Sequence, residues 1–163
     1  MMYNFHILID MGIDMKACVF FGHAQQNYDN EYGKIEGVIE HLIKEKGIVQ
    51  FYSGGRGAFD AICSNIVASL KKRYPHIKST LVYSYLPQKK EEFLPEKYDD
   101  SVYLLEERVP PKYAIVKTNE AMIDRCDFVV TAVQRSWGGA AKAYHYAKRK
   151  QKNIINIYQY EPI

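Results

Sequence analysis

The chain has 163 residues, of which 47% are hydrophobic and 25% are charged, so it has the size and composition of a single globular domain. This composition excludes an intrinsically disordered chain, and no apolar run reaches the roughly 20 residues that a membrane-spanning helix needs. The formal net charge of +3 is too small to demand a nucleic-acid partner, and the basic residues that cluster late in the chain suit the C-terminal end of a helix.

Strand-like and helix-like patterns alternate from residue 15 onward. Short apolar runs predict six strands, at residues 16–21, 48–53, 79–86, 102–105, 127–133 and 153–158. Apolar residues at helical spacing predict helices after the first, second, fourth and fifth of these strands. The first helix is expected to close at Gly47 and the second to end at Pro75, while the others cover residues 113–125 and 140–150. Residues 87–99, which are polar, are predicted to form a loop.

Strands that alternate with helices form βαβ units, and several of these strands are nearly continuous apolar runs, as in sheets that are covered on both faces. The predicted fold is therefore α/β: a single open, doubly wound, mainly parallel sheet of the Rossmann-like kind. In such sheets, ligands bind at the carboxyl ends of the strands, near the point where the strand order reverses. The loops that follow the strands are the candidate site.

The loop after the second predicted strand is rich in glycine. It reads Ser53, Gly54, Gly55, Arg56 and Gly57. Glycines let the backbone approach a ligand closely, the N-terminus of the following helix favours a phosphate, and Arg56 could add a charge-assisted contact. Asp60 could accept a hydrogen bond from a ribose hydroxyl or cap the helix. A tight turn without any ligand is the alternative interpretation, since the loop matches neither GxGxxG nor a P-loop.

Two other loops carry comparable features. The candidate residues are Gly22 and His23 after the first strand, and Arg135, Trp137, Gly138 and Gly139 after the fifth. Gly22 would permit close approach, His23 could hydrogen-bond a ligand, and Trp137 could stack on a base, although each could equally be an ordinary loop residue. Two glycine-rich turns at the same edge of one sheet occur together by chance far less often than a single such turn. Their combination therefore favours a phosphate or nucleotide site.

The cysteines and the N-terminus add two expectations. The three cysteines are widely spaced and odd in number, which argues against disulfides and a zinc site and favours a reduced, cytoplasmic location. The histidines show no ligand spacing either, so no metal is expected. Residues 1–14 lack the features of a signal peptide. We interpret them as an N-terminal extension or a start codon placed too early, followed by one domain over residues 15–163.

Four groups of residues, in chain order, carry a resemblance to a known family. The groups are Gly22-His23; Ser53, Gly54, Gly57 and Asp60; Met122, Asp124, Arg125 and Asp127; and Gly138, Gly139, Tyr146, Ala147 and Lys152. Together they resemble the SLOG superfamily, the Rossmann-like group that includes the DprA and LOG proteins, and within it the YpsA-like branch. The resemblance spans residues 16–158 and implies a nucleotide or nucleotide-derived ligand bound over these loops.

The LOG-type phosphoribohydrolases of this superfamily carry a catalytic arginine and glutamate, and the sequence departs from their pattern. Thr118 stands where the arginine is expected and His145 where the glutamate is expected, and Trp137 replaces a proline. Cleavage of an N-glycosidic bond needs a carboxylate to stabilise the developing positive charge or to activate water. The departures from the LOG pattern therefore argue against enzymatic activity. If the protein does catalyse a reaction, Asp60, Glu120 and His145 are weak candidates for its acid–base groups.

The sequence thus favours a cytoplasmic protein of the SLOG type that binds a nucleotide or a nucleotide-derived ligand as a sensor or binding module. The first alternative is an N-glycoside hydrolase acting on a nucleoside monophosphate. The second is a module that binds nucleic acid or protein, with nucleic acid the less expected partner. The basic C-terminal helix and the 14 tyrosines support this second alternative. A homo-oligomer is compatible with the sequence, because exposed Tyr, Phe and Trp side chains could form a contact, and no membrane partner is expected.

Overall fold

The computed structural model describes residues 15–86 and 94–159. In chain order, the elements are β1 (Ala17–Gly22), a short 3₁₀ turn (Asp29–Glu31), α1 (Tyr32–Lys46), β2 (Gln50–Ser53), α2 (Ala58–Leu70), β3 (Lys78–Tyr83), β4 (Asp100–Tyr103), α3 (Pro111–Asp124), β5 (Phe128–Ala132), α4 (Gly139–Arg149) and β6 (Asn153–Asn156). In these two ranges, no helix is long and apolar enough to cross a membrane.

The six strands form one sheet in the order β4-β3-β2-β1-β5-β6, and each neighbouring pair is parallel. The order runs outward from β1 in both directions, so the chain reverses direction across the sheet between β1 and β5. The predicted open, doubly wound, Rossmann-like sheet is confirmed. Ligands of such sheets bind at the carboxyl ends of the strands beside this reversal, which places the loops after β1, β2 and β5 together.

Two helical layers cover the sheet. Helices α1 and α2 pack on one face, against a cluster that includes Phe20 and Phe51. Helices α3 and α4 pack on the other face, against Val19, Tyr52 and Val129. Because successive side chains of a strand point to opposite faces, β1 is apolar almost throughout. This explains the continuous apolar runs in the sequence.

Several predicted boundaries were wrong, and the differences have physical reasons. Helix α2 ends at Leu70 and not, as predicted, at Pro75. After Leu70 the chain forms turns, in which the N–H groups of Arg73 and Tyr74 both donate to the Leu70 carbonyl. Strand β6 ends at Asn156, whose side-chain amide donates a hydrogen bond to the Val133 carbonyl in the loop after β5. The predicted closing of α1 is confirmed: Gly47 has a left-handed conformation with φ 68°.

Two of the sequence predictions fall wholly or partly outside the described residues. The interpretation of residues 1–14 lies outside them. Of the loop predicted at residues 87–99, the described part begins at Leu94, and its Tyr98 is buried while Asp99 pairs with Ser79 of β3 through two hydrogen bonds. This part of the chain is therefore held against the sheet.

Candidate functional site

The loops after β2 and β5 both lead into a helix through a glycine with an unusual backbone. Gly57, the N-cap of α2, has φ 88° and ψ 176°, and Gly138, the N-cap of α4, has φ 97° and ψ 174°. This conformation is accessible essentially only to glycine. Neither N-cap has a side chain to bond the first-turn N–H groups, so both helices present uncapped N-termini at the same edge of the sheet.

The β2 loop is folded by hydrogen bonds to its own backbone. The Gly55 N–H donates to Ser53 Oγ at 3.2 Å, and the Arg56 N–H donates to Asp60 Oδ2 at 3.1 Å. The Ala58 N–H donates to the Ala24 carbonyl at 3.0 Å, which joins this loop to the loop after β1. The predicted glycine-rich segment is thus a well-defined turn, and its shape is imposed by protein contacts.

The glycines of this loop serve different purposes. A Cβ on Gly57 would lie 2.6 Å from Ala24 Cα, and one on Gly55, whose φ is +67°, would lie 2.5 Å from Leu81 Cδ1. A Cβ on Gly54 would instead make ordinary contacts of 3.7 Å with Asp60 Oδ2 and the methyl group of Met122. The positive φ therefore accounts for Gly55, because the Leu81 methyl group can move aside, and both the positive φ and the contact with the Ala24 backbone account for Gly57. Nothing in the described residues requires a glycine at position 54.

Asp60 lies beneath the loop and is only 8% exposed. Burial raises the pKa of its carboxyl to about 7, against the opposing effects of the Arg56 N–H and the positive charge of Lys97. The Asp60 carboxylate accepts the N–H of Arg56, which precedes the N-cap Gly57, so it holds the turn that leads into α2 and does not cap a first-turn N–H group of the helix. A hydrogen bond to a ribose hydroxyl stays a prediction.

The loop after β1 is closely packed. A Cβ on Gly22 would lie 2.3 Å from Phe59 Cβ, so the contact with α2 is enough to explain this glycine. His23 is buried, and its Nε2 accepts a hydrogen bond from the Gln134 N–H at 3.4 Å, which bridges the β1 and β5 loops at the strand-order reversal. Burial and the nearby Arg135 charge lower the pKa of His23, so the neutral imidazole is favoured.

The loop after β5 is the most exposed of the three. Trp137 is 65% exposed, and the Arg135 guanidinium lies 3.8 Å from the centre of its ring. The Asn156 amide holds the start of the loop by pairing with both the N–H and the carbonyl of Val133, at 3.2 and 2.8 Å. A Cβ on Gly139 would meet nothing within 4 Å. The start of this loop is therefore held in place by hydrogen bonds, while the residues that follow are exposed.

Sequence reasoning missed several residues at this edge. They are Tyr85 after β3, Lys97 and Tyr98 before β4, and Asn156 at the end of β6. The Arg56 guanidinium lies 5.4 Å from the centre of the Tyr85 ring, and the Tyr98 hydroxyl donates to Ser53 Oγ at 3.4 Å. A tyrosine at the end of a strand was the only available signal for Tyr85. The other residues are brought in by the strand order, which the sequence did not predict.

Two of the weak catalytic candidates lie on the α3–α4 side of the sheet, in a groove that Gly139 of the β5 turn also lines. Glu120 and His145 line a groove of about 280 Å³ between α3 and α4, and Glu120 pairs with Lys117 at 3.0 Å. Asp60 belongs to α2, in the helical layer on the other face of the sheet. Thr118, which stands where the resemblance implies an arginine, is fully buried. The structure therefore does not bring the three candidates together as one acid–base set.

Two aspartates hold the helix–strand junction before β5. Asp127 Oδ2 accepts the Ala17 N–H at 3.0 Å, and Asp124 accepts the Tyr146 hydroxyl at 2.9 Å. Among residues 15–86 and 94–159, no group of three or more His, Cys, Asp and Glu side chains is arranged to hold a metal ion. The three cysteines are free and buried.

Comparison with known proteins finds one weak sequence relative. No family model matches the chain. The chain is 27% identical over 135 residues to the "uncharacterized SPbeta prophage-derived protein YoqJ" of Bacillus subtilis (strain 168), a span that covers 71% of this chain and 79% of that protein.

Solved structures share the fold. DNA processing protein A (DprA) from Streptococcus pneumoniae matches with a TM-score of 0.62 and 14% identity, over 86% of this chain and 49% of that one. DprA from Helicobacter pylori, whose structure is described as showing a single-stranded DNA binding mode, matches with a TM-score of 0.60 and 16% identity, over 85% and 63%. TM1055 matches with a TM-score of 0.53 and 16% identity, over 86% and 72%.

These neighbours support the Rossmann-like architecture that the SLOG resemblance implies. The chain spans about half the length of the Streptococcus pneumoniae DprA and under two thirds of the Helicobacter pylori DprA. At 14–16% identity, the likeness concerns the fold of the domain.

Proposed function

We propose that this protein is a nucleotide-binding module of the SLOG type, whose ligand lies across the carboxyl ends of β1, β2 and β5. The observation that carries the proposal is the pair of N-cap glycines, Gly57 and Gly138, which open two uncapped helices at one edge of the sheet. Uncapped helix N-termini attract anions through their free N–H groups and the helix dipole. A phosphate-bearing ligand suits both N-termini, and at α2 it would use the N–H groups that follow Ala58, whose own N–H donates to the Ala24 carbonyl.

Two arginine–aromatic pairs add features that suit a nucleotide. Arg56 lies over Tyr85 and Arg135 lies over Trp137, and both aromatic rings are exposed, by 44% and 65%. Arginine provides two-pronged contacts with phosphate, while an exposed aromatic face can stack on a base. We further propose, from the resemblance, that the protein belongs near the YpsA-like branch and lacks LOG-type catalysis. The cysteine pattern supports the further proposal that it works in the cytoplasm.

Hydrolysis of an N-glycosidic bond is a second candidate function, and one observation favours it. The raised pKa of Asp60, about 7, keeps a large fraction of the carboxyl protonated near neutral pH, which is the state a general acid requires. Asp60 also lies within contact distance of the Gly54 position. If Asp60 were catalytic, Asp60→Asn would abolish release of free base from a nucleoside monophosphate; unchanged turnover in that variant would remove it from the mechanism.

Nucleic-acid binding is a third candidate. The DprA likeness and the exposed arginine–aromatic pairs support it, and they weaken the expectation from net charge that nucleic acid is an unlikely partner. Binding of a single strand through several phosphates would weaken steeply with added salt, because counterions are released on binding. A mononucleotide neutralises fewer charges, so its affinity would depend on salt much less.

The test is a thermal-shift panel with mononucleotides, dinucleotides and a short single-stranded oligonucleotide. A ligand present at about 100 times its dissociation constant stabilises by about 2.7 kcal/mol, which for this chain length means a rise in Tm of roughly 5–10 °C. No rise with any nucleotide or oligonucleotide would refute the proposal. Recovery of intact ligand would separate binding from hydrolysis.

Gly54→Ala and Gly139→Ala are the diagnostic variants, since a Cβ at either position meets no steric conflict inside the protein. We expect these variants to fold normally and to lose the ligand-induced rise, because a Cβ would stand where the ligand approaches the backbone. The matched control is Gly37→Ala in the second turn of α1, where a Cβ also lies in open space and which belongs to none of the three loops of the candidate site. An unchanged rise in both diagnostic variants would place the ligand elsewhere.

A further inference from the structure

The segment that precedes β4 forms part of the wall of the β2 loop. The Tyr98 hydroxyl donates to Ser53 Oγ at 3.4 Å, and a Cβ on Gly55 would lie 3.8 Å from the same hydroxyl. Tyr98 is buried, so its backbone is fixed against the sheet. Lys97, the residue before it, is therefore carried to the rim of the glycine-rich turn by a rigid neighbour.

Lys97 is a half-buried cation whose charge is not matched by a direct carboxylate contact within the described ranges. Its ammonium lies 5.4 Å from the centre of the Tyr98 ring. Other lysines of this protein do form ion pairs, as Lys71 does with Asp99 and Lys117 does with Glu120. Burial lowers the pKa of Lys97, and the Asp60 carboxylate partly opposes this effect.

Arg56, a residue of the β2 loop itself, has a similar arrangement. Its guanidinium lies over the Tyr85 ring, and the ion pairs of the described residues do not include it. Two cations that lie against tyrosine rings thus belong to the β2 loop and to the segment that packs against this loop through Tyr98. A cation on an aromatic face gives up part of its hydration without being neutralised, so it stays available to an incoming anion.

We propose that Lys97 and Arg56 jointly hold a terminal phosphate group of the ligand over Gly54 and Gly55. This inference rests on the proposed nucleotide-binding function and deepens it by naming the ligand chemistry at the β2 loop. A terminal phosphate carries about −1.5 to −2 charges near neutral pH, which two cations balance, whereas a phosphodiester carries one. Arginine would bind two phosphate oxygens through its planar fork, and Lys97 would act as a point charge.

The experiment is isothermal titration calorimetry with the 5′-monophosphates of adenosine, guanosine, cytidine and uridine, the four parent nucleosides, and the methyl esters of the same monophosphates. The variants are Lys97→Met and Lys97→Arg. Lys46→Met is the matched control, because Lys46 is an exposed lysine at the C-terminal end of α1, away from the carboxyl ends of the strands.

We expect Lys97→Met to weaken binding of the preferred monophosphate by about tenfold or more, and to leave binding of its nucleoside within about twofold. The methyl ester, which has one charge fewer, should lose less than the monophosphate. Lys97→Arg should retain most of the affinity, and Lys46→Met should behave like the wild type. A role of Lys97 in folding alone would weaken nucleoside and monophosphate equally.

The outcomes separate this inference from the function on which it rests. If the wild type binds a monophosphate and Lys97→Met binds it equally well, the inference is overturned and the proposed function stands. Equal losses for nucleoside and monophosphate overturn it as well. If the wild type binds none of the nucleotides or nucleosides, the proposed function fails and the inference fails with it.

Discussion

Gly57 and Gly138 share one backbone conformation at the heads of two different helices, with φ 88° and ψ 176° in the first and φ 97° and ψ 174° in the second. Their strands, β2 and β5, lie on either side of β1. The two turns therefore start their helices in the same way, on opposite faces of the sheet. Each turn directs a set of first-turn N–H groups toward the edge where a ligand of this fold binds.

The first prediction concerns these N-cap glycines. Replacing either one by alanine forces a Cβ into a conformation that costs about 1–3 kcal/mol. Gly57→Ala should be the more destabilising, because its Cβ would also lie 2.6 Å from Ala24 Cα, whereas Gly138→Ala meets only the Arg135 side chain at 3.9 Å. Urea denaturation measures the difference. Gly139→Ala is the control, and an equal stability of all three variants would contradict the conformational argument.

The second prediction concerns Gly22 and Phe59. A Cβ on Gly22 would overlap the Phe59 side chain at 2.3 Å, so Gly22→Ala should destabilise the protein by about 1–3 kcal/mol through overpacking. Phe59→Ala should cost less in the Gly22→Ala background than in the wild type, because it removes the Cγ and Cδ1 atoms that lie 2.3 and 2.7 Å from the added Cβ, and leaves only the overlap with the Phe59 Cβ. A double-mutant cycle by thermal or urea unfolding measures this coupling. Strictly additive costs would show that the two residues do not compete for the same space.

The third prediction concerns the pH dependence set by Asp60. Its pKa rises from 3.8 to about 7 in the folded protein, so between these values the folded chain holds a proton that the unfolded chain has lost. The resulting stabilisation is fully present below about pH 4 and is lost as the pH rises through about 7. Relative to Asp60→Asn, the wild type should lose up to about 4 kcal/mol of unfolding free energy between about pH 4 and pH 8.

Urea denaturation of the wild type and Asp60→Asn across this pH range checks the prediction for Asp60. Asparagine keeps an oxygen that can accept the Arg56 N–H, so the loop should be retained in the variant. Glu45→Gln, which removes an exposed carboxyl from α1, is the control and should follow the wild-type profile. Parallel profiles for the wild type and Asp60→Asn would show that Asp60 titrates normally in the folded protein.

The fourth prediction uses Trp137, the single tryptophan of the chain, as a reporter. Because its ring is 65% exposed and lies beside Arg135, a base that stacks on it should quench or shift the intrinsic fluorescence. Titration with a nucleotide should give a saturable change, and Trp137→Phe should bind with similar affinity by calorimetry, since phenylalanine keeps a stacking face. Binding without any change in emission would place the base away from the β5 loop.

The salt dependence of the same signal separates the candidate ligands. The affinity for a single-stranded oligonucleotide that is bound through several phosphates should fall by orders of magnitude as the salt concentration rises from about 50 to 200 mM. The affinity for a mononucleotide should fall much less. Arg135→Gln should weaken both kinds of ligand if Arg135 contacts a phosphate. If the affinity for a single-stranded oligonucleotide does not change with salt, this result would contradict an electrostatic mode of binding.

Local patterns in the sequence were enough to predict the class of fold. The apolar run of β1 and the helical spacing of Ile35, Val38, Ile39, Leu42 and Ile43 report burial directly, because strand and helix periods decide which side chains reach the core. The glycine-rich segments at Gly54–Gly57 and Gly138-Gly139 also mark positions where the backbone has conformations that other residues avoid, so the turns and their location at strand ends were predictable.

What each residue does inside those turns was decided by the tertiary structure. The sequence suggests ligand approach for Gly22 and Gly57, and the structure explains both by packing against Phe59 and Ala24. Lys97 and Tyr98 reach the β2 loop because β4 lies beside β3 at the edge of the sheet, an order that no local pattern encodes. Periodicity records whether a side chain is buried, whereas the neighbours it meets depend on pairing between distant strands, and only the folded chain determines that pairing.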